Sequence, residues 1–255
     1  MIKLSETKNK KGKKIGKILL GIFAGLLALI VIVFAICMIP LETHELDPKI
    51  LESDGEITVS EIDGGITAFV PENPTAGFIF YQGARVDAKA YAPLMRALAQ
   101  RKILTVLIDC PFNLAFFNMN APDGIQEKFP QVKSWYIGGH SMGAEVAGEY
   151  LIKHLDEYDG LALFAGFVTN DFSKTGLNVL SVYGENDGVL TGGAYDECLS
   201  HLPDDFKEFV IPGGNHSGFA YYGPQKGDNE ASISKDEQIE AAADFFAAEV
   251  KADIG

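Results

Sequence analysis

The pentapeptide GHSMG at residues 139–143 fits the pattern G-x-S-x-G, and its setting adds weight to the match. It directly follows the apolar stretch 135–138 and precedes a segment with helical spacing of apolar residues. A strand, a tight turn and a helix together expose a serine hydroxyl above a sheet, and the turn leaves room only for small neighbours. The pattern therefore predicts Ser141 as a nucleophile; the alternative is a glycine-rich turn capped by a serine.

A serine hydroxyl is a weak nucleophile unless a base lies beside it. The expected chain order after such a serine is an acid and then a histidine, and only His201 and His216 lie beyond the helix that follows Ser141. His201 falls at the end of a predicted helix, whereas His216 falls in the loop IPGGNHSG after the last predicted strand. Loops at the carboxyl edge of a parallel sheet are where such sites assemble. We therefore predict His216 as the base, with an ordinary loop histidine as the alternative; His140 is expected to pack beneath the turn.

A carboxylate is needed to fix the tautomer of that imidazole and to stabilise its charged form. Asp187 ends the stretch YGEND after a buried strand, where a carboxylate could reach the imidazole. We predict Asp187 as this acid. Glu185 is a near competitor, Asp196 is a distant one, and a plain Asn-Asp-Gly turn is the structural alternative.

The negative charge that develops on the substrate in acyl transfer needs hydrogen-bond donors. The backbone N–H directly after the nucleophile, that of Met142, is one candidate, and a loop after an earlier strand supplies the other. Here that loop is YQGAR, which follows the apolar stretch GFIFY. Gly83 lets the chain turn, and we predict the N–H of Ala84 as the second donor.

Strand-like and helix-like segments alternate along the chain after about residue 56. The predicted strands are Ile57–Ile62, Ile66–Pro71, Gly77–Tyr81, Ile103–Ile108, Ser134–Gly138, Leu161–Phe167, Asn178–Tyr183 and Phe206–Ile211. The predicted helices are Tyr91–Leu98, Phe116–Phe129, the segment from Ser141 to Leu151, Gly193–Leu202 and Ser234–Val250. Such alternation indicates an α/β fold with a mostly parallel sheet covered by helices on both faces. Residues 56–255 are expected to form one domain.

Three stretches that hold the candidate residues, GGHSMG, GEND and GGNHSGF, resemble the α/β-hydrolase superfamily. More narrowly, YQGARVDAKAYAPL, PFNLAFFN and NHSGFAYYGPQKGD resemble bacterial α/β hydrolases of the fold-5 type, over about residues 55–250. The resemblance implies a Ser-His-Asp triad, which maps onto Ser141, His216 and Asp187. It also implies an N-terminal membrane helix in many members. It names no substrate.

The chain differs from the proteins that it resembles at three points. Gln82 stands where many relatives have histidine, which bears on the second oxyanion donor, and Ser141 stands where the related dienelactone hydrolases use cysteine. Relatives often insert a helical cap between Phe167 and Asn178, whereas this segment is short. We therefore expect little or no cap and an open pocket.

The N-terminus reads as a membrane anchor. Residues 1–17 carry seven lysines and one glutamate, and residues 18–40 form an uncharged apolar run. A helix over that run would be about 33 Å long, enough for a hydrocarbon core of about 30 Å. The lysines favour a cytoplasmic N-terminus, with 41–55 as a linker and the catalytic domain on the outer face. A cleaved signal peptide or a lipid attached at Cys37 is the alternative.

Charge and cysteine content restrict the function further. The net charge is −14, which leaves −20 on the residues after the lysine-rich terminus and argues against nucleic acid as a partner. Cys110 and Cys198 are expected to be buried free thiols. The sequence has no zinc spacing and no nucleotide-binding glycine loop, so no metal or cofactor is implied. A small or lipid-like acyl ester or thioester is the expected substrate, with acyl transfer, peptide cleavage or a silent binding module as alternatives.

Overall fold

The computed structural model describes residues 17–29, 31–32, 39–190 and 192–254. Eight strands of the described chain form one sheet: β1 (Ile57–Asp63), β2 (Ile66–Pro71), β3 (Ala76–Tyr81), β4 (Ile103–Ile108), β5 (Trp135–His140), β6 (Gly160–Phe164), β7 (Asn178–Gly184) and β8 (Lys207–Ile211). The longer helices are α1 (Ala92–Gln100), α2 (Met142–Leu151), α3 (Gly192–Cys198) and α4 (Lys235–Ile254). The predicted α/β class is confirmed.

The strand order is β1-β2-β4-β3-β5-β6-β7-β8. The first two strands form an antiparallel hairpin, and β2 also pairs antiparallel with β4. All remaining pairs are parallel. The carboxyl ends of β3, β5, β7 and β8 therefore lie at the same edge of the sheet, and the loops that leave this edge carry every predicted site residue.

Alternating side chains of the central strands form two cores, one on each face of the sheet. On β3, Phe78 and Phe80 belong to the cluster with Phe246 of α4, whereas Ile79 lies in the cluster with Val146 of α2. Phe78 and Phe246 have ring centroids 4.6 Å apart. Burial of both faces explains why β3 reads as a continuous apolar run, as parallel strands do.

Two predicted elements are wrong in extent or type. The helix predicted over Phe116–Phe129 is absent, and the described chain has only short 3-10 turns at Ala115–Asn118 and Gln126–Lys128. Pro122 and Gly124, the latter at φ 72°, interrupt the stretch. The strand predicted over Leu161–Phe167 ends at Phe164, because Ala165 has φ 45° and turns the chain away.

Residues 17–29 and 31–32 are helical, and contacts divide the chain into two units, Met1–Ile39 and Pro40–Gly255. Within the described residues, no helix is both long and apolar enough to span a membrane. Residues 30 and 33–38 of the predicted anchor lie outside the described residues, as does the basic segment 1–16. The anchor over 18–40 thus gains no support here, and it stays a prediction together with the location derived from it.

The segment 41–55, predicted as a linker, belongs to the second unit and contacts the loop after β3 and helix α1. Leu41 forms a parallel bridge with Val86, and the Arg96 guanidinium on α1 binds the carbonyl of Ile50 at 2.9 Å and the carboxylate of Asp54 at 2.6 Å. These contacts fasten the segment beside the loop that follows β3.

Candidate active site

Ser141 occupies the sharp turn between β5 and α2. Its backbone has φ 53° and ψ −121°, a conformation that only a few non-glycine residues adopt. The neighbouring glycines permit this turn, because a Cβ on Gly139 would lie 2.6 Å from the carbonyl oxygen of Tyr81 and one on Gly143 would lie 2.3 Å from it. The N–H of Ser141 donates to the carbonyl of Phe164 at 2.9 Å, which anchors the turn to β6.

His216 and Asp187 form a buried pair. His216 Nδ1 lies 2.9 Å from Asp187 Oδ2, and the side chains are 1% and 3% exposed. Asp187 Oδ1 accepts from the N–H groups of Val189 at 2.8 Å and Leu190 at 2.7 Å. His216 Nε2 is buried and has no hydrogen-bond partner among the described residues, Ser141 included. The carboxylate thus holds the proton on Nδ1 and leaves the Nε2 lone pair free.

The competing acids occupy other positions. Glu185 accepts from the N–H of Gly213 at 2.9 Å and so holds the loop after β8. Asp196 lies exposed on α3. Of the three carboxylates considered from the sequence, the structure brings only Asp187 to the imidazole.

Two residues that sequence reasoning missed hold the loop of His216. Asp228 Oδ1 accepts from the N–H of His216 at 3.1 Å and from that of Gly188 at 3.3 Å. One carboxylate thus joins the loop of Asp187 to the loop of His216. Gln238 of α4 is fully buried and binds both the N–H and the carbonyl of Asn215, at 3.0 and 2.7 Å. The family-like stretch NHSGFAYYGPQKGD ends in Asp228 and was the available signal for it.

The loop after β3 is built around Gln82. Its buried amide donates to the carbonyl of Val86 at 2.9 Å, and its oxygen accepts from the N–H of Cys110 at 3.1 Å. Gln82, which stands where many relatives have histidine, therefore stabilises the loop through these two hydrogen bonds. The N–H of Gly83 donates to the Tyr91 hydroxyl at 3.0 Å, which leaves the next amide, that of Ala84, as the candidate donor at this turn.

A chain of buried hydrogen bonds connects the loop after β3 to His216. The Tyr91 hydroxyl lies 2.8 Å from His140 Nδ1, and His140 Nε2 lies 3.0 Å from the carbonyl oxygen of His216. Burial raises the pKa of Tyr91, so its hydroxyl stays protonated and donates a hydrogen bond to His140 Nδ1. Burial lowers the pKa of His140 well below its usual range, and the neighbouring His216 lowers this pKa further. His140 is therefore a neutral ring with its proton on Nε2, facing the His216 carbonyl.

We expect Tyr91→Phe to lower kcat roughly 10- to 100-fold with little change in KM. The variant removes the hydroxyl that accepts from the Gly83 N–H and donates to His140. The loop that holds Ala84 and the backbone of His216 therefore each lose a contact that positions them. Steady-state kinetics with an activated ester measure the effect.

The matched control is Tyr150→Phe, which removes a buried hydroxyl bonded to Asp123 at 2.9 Å on the other face of the sheet. Each variant should lose about 1–3 kcal/mol of stability, and only the Tyr91 variant should lose kcat. Equal stability losses with unchanged kcat in both would show that the Tyr91–His140 contact is structural only.

One cavity of about 360 Å³ receives both Ser141 and His216. Its other lining residues, all within the described chain, are mostly apolar: Met142, Glu145, Ala165, Gly166, Phe167, Val189, Leu190 and Ala194. A larger cavity of about 700 Å³ lies along residues 40–51 and contains none of the predicted site residues. Ala84 lines neither of the two. We therefore locate the candidate site by the residues that line the cavity and not by the volume of the cavity.

Besides Ser141, the described residues include two cysteines and side chains of metal-binding types as possible reactive groups. Cys110 and Cys198 are buried free thiols, as expected. Burial raises the pKa of Cys110 to about 12 and raises that of Cys198 as well, so both remain protonated. Within the part of the chain that the structure describes, no three His, Cys, Asp or Glu side chains are grouped to hold a metal ion.

The family follows from the sequence of the domain just described. Residues 77–240, more than half of the chain, match the model of the alpha/beta hydrolase family. The chain belongs to this family. No curated protein sequence matches this α/β hydrolase significantly.

Solved structures share the fold of this α/β hydrolase. TT1662 from Thermus thermophilus has a TM-score of 0.57 at 15% identity, covering 77% of this chain and 99% of its own. A soluble variant of the monoglyceride lipase of Saccharomyces cerevisiae has a TM-score of 0.56 at 13% identity, over 82% and 99%. Carboxyl esterase 2 of Tuber melanosporum has 0.53 at 12%, over 80% and 90%. At these identities the likeness shows the fold alone.

Proposed function

We propose that this α/β hydrolase is a serine hydrolase that cleaves carboxylic esters or thioesters through an acyl-enzyme. The observation that carries the proposal is the buried His216–Asp187 pair: Nε2 of His216 has no partner among the described residues, and His216 lines the same cavity as Ser141. The esterase and lipase among the solved relatives support hydrolysis as the reaction class.

In the proposed reaction, His216 Nε2 takes the proton of Ser141 Oγ as Oγ bonds to the acyl carbon. The amides of Met142 and Ala84 stabilise the oxyanion. The C–O or C–S bond then breaks, and the leaving alcohol or thiol takes the proton from Nε2. Water attacks the acyl-enzyme with His216 again as base, which releases the acid and restores the serine.

Two features prepare these residues for that sequence. The positive φ of Ser141 presents its side chain beyond the end of β5, at the start of α2. Ser141 Oγ and His216 Nε2 share no hydrogen bond here, and such contacts are commonly looser without substrate. Asp187 stabilises the imidazolium that forms, because its carboxylate is held by two amides as well as by the ring.

A fluorophosphonate probe tests the assignment of the nucleophile. We expect the folded full-length protein to be labelled once, at Ser141, as located by peptide mass spectrometry. Ser141→Ala should abolish labelling, whereas Ser200→Ala, which changes an exposed serine, should leave it intact. Absence of label in folded wild-type protein would favour a hydrolase fold used only for binding.

A further inference from the structure

The cavity beside Ser141 has one carboxylate in an otherwise apolar wall. Six of its lining side chains are aliphatic, aromatic or thioether groups: Met142, Ala165, Phe167, Val189, Leu190 and Ala194. Glu145 is the acidic residue among the described lining residues, and no lysine or arginine is among them. An acyl group that enters this space therefore meets an apolar surface and one fixed negative charge.

The position of Glu145 follows from the helix. It lies in the first turn of α2, which begins at Met142 directly after Ser141, and it lines the same cavity as Ser141. Thr169, in the loop after β6, fixes the carboxylate: its N–H donates to Oε2 at 2.9 Å, and its hydroxyl donates to Oε1. Both donors are neutral, so the charge of Glu145 has no paired cation in these contacts.

We propose that Glu145 excludes negatively charged acyl groups, so that the cavity selects esters of uncharged acids. The inference rests on the proposed function and specifies its substrate class. A second carboxylate in a partly enclosed apolar cavity loses hydration and is repelled by the first, and the cavity supplies no lysine or arginine to offset either cost. Selection against one substrate class by an unfavourable charge contact is a common source of specificity.

Three p-nitrophenyl esters of equal chain length separate charge from size: the hexanoate, the adipate monoester and the 6-aminohexanoate. These acyl groups end in a methyl, a carboxylate and an ammonium. We expect the wild-type enzyme to prefer the hexanoate strongly over the adipate. Glu145→Gln keeps the shape of the side chain, and it should raise the ratio of kcat/KM for adipate to that for hexanoate roughly 10- to 100-fold. The corresponding ratio for the 6-aminohexanoate should fall.

The matched control is Glu149→Gln. Glu149 lies one turn further along α2 and binds the Asn170 amide at 2.9 Å, and it is not among the described residues that line the cavity. This variant removes the same charge from the same helix and should leave all three ratios unchanged. Ratios between esters also cancel any effect of Glu145→Gln on the proton affinity of His216, which would act on every ester alike.

The outcomes distinguish this inference from the proposed function. If wild-type protein hydrolyses the esters but Glu145→Gln changes all three rates equally, or Glu149→Gln shifts the ratios as much, the inference is wrong and the hydrolase assignment stands. If none of the esters is hydrolysed and Ser141 takes no fluorophosphonate, the proposed function fails and the inference with it.

Discussion

Ser141→Ala is expected to lower kcat for p-nitrophenyl butyrate about 10⁶-fold, the largest effect of any single change in this protein. The variant removes the atom that forms the covalent bond, and the remaining groups cannot replace it because His216 has no other hydroxyl to activate in the proposed reaction. The residual rate would come from the oxyanion donors and from substrate binding alone. A stopped-flow assay measures the wild-type rate, and an assay over a long time course measures the residual rate of the variant.

The control for this variant is its stability. Ser141 has φ 53°, and alanine carries a Cβ just as serine does, so the substitution adds no backbone strain and the midpoint of urea unfolding should move little. Retained turnover in a folded Ser141→Ala protein would remove this residue from the mechanism. Loss of folding would be visible in the unfolding curve and would not be counted as loss of a nucleophile.

Asp187→Asn is expected to lower kcat about 10⁴-fold. The reason lies in the contacts of the carboxylate. Oδ1 accepts from two amides, those of Val189 and Leu190, so an asparagine would keep its oxygen there and turn its NH₂ toward His216. That group donates to Nδ1, which forces the imidazole proton onto Nε2, and an Nε2 that carries a proton cannot act as the base.

Two further carboxylates serve as controls for this variant. Asp196→Asn changes an exposed residue and should leave kcat unaltered. Glu185→Gln should affect mainly stability, since Glu185 binds the backbone of Gly213. A full rate in Asp187→Asn, or an equal loss in Glu185→Gln, would contradict the assignment of the acid. Fluorophosphonate labelling of Asp187→Asn should be slowed in parallel with turnover.

The features that could be predicted from the sequence are those that depend on residues close together in the chain. Alternating and continuous apolar runs predict the strands because each strand has one or two buried faces. The placement of Ser141, Asp187 and His216 at one edge follows from the parallel order of the strands that precede them. Their catalytic roles remain predictions until the variants are measured.

The contacts that sequence analysis missed depend on residues distant in the chain. The sequence indicates Tyr91 only as the start of a predicted helix, and no local pattern shows that its hydroxyl contacts His140, 49 residues later. Glu145 was not singled out, since its importance comes from the cavity and from Thr169. The helix predicted over 116–129 is wrong because Pro122 and Gly124 within it favour turns.

The shared carboxylate of Asp228 has a consequence for how this fold could diversify. Because it binds the N–H groups of both Gly188 and His216, we expect that lengthening the loop of Asp187 or the loop of His216 would displace both residues. The segment between Phe167 and Asn178 bears no member of the proposed triad, yet it begins at the cavity wall. Insertions there could reshape substrate preference while leaving the reacting groups in register, so new specificities in close relatives should be sought in that segment first.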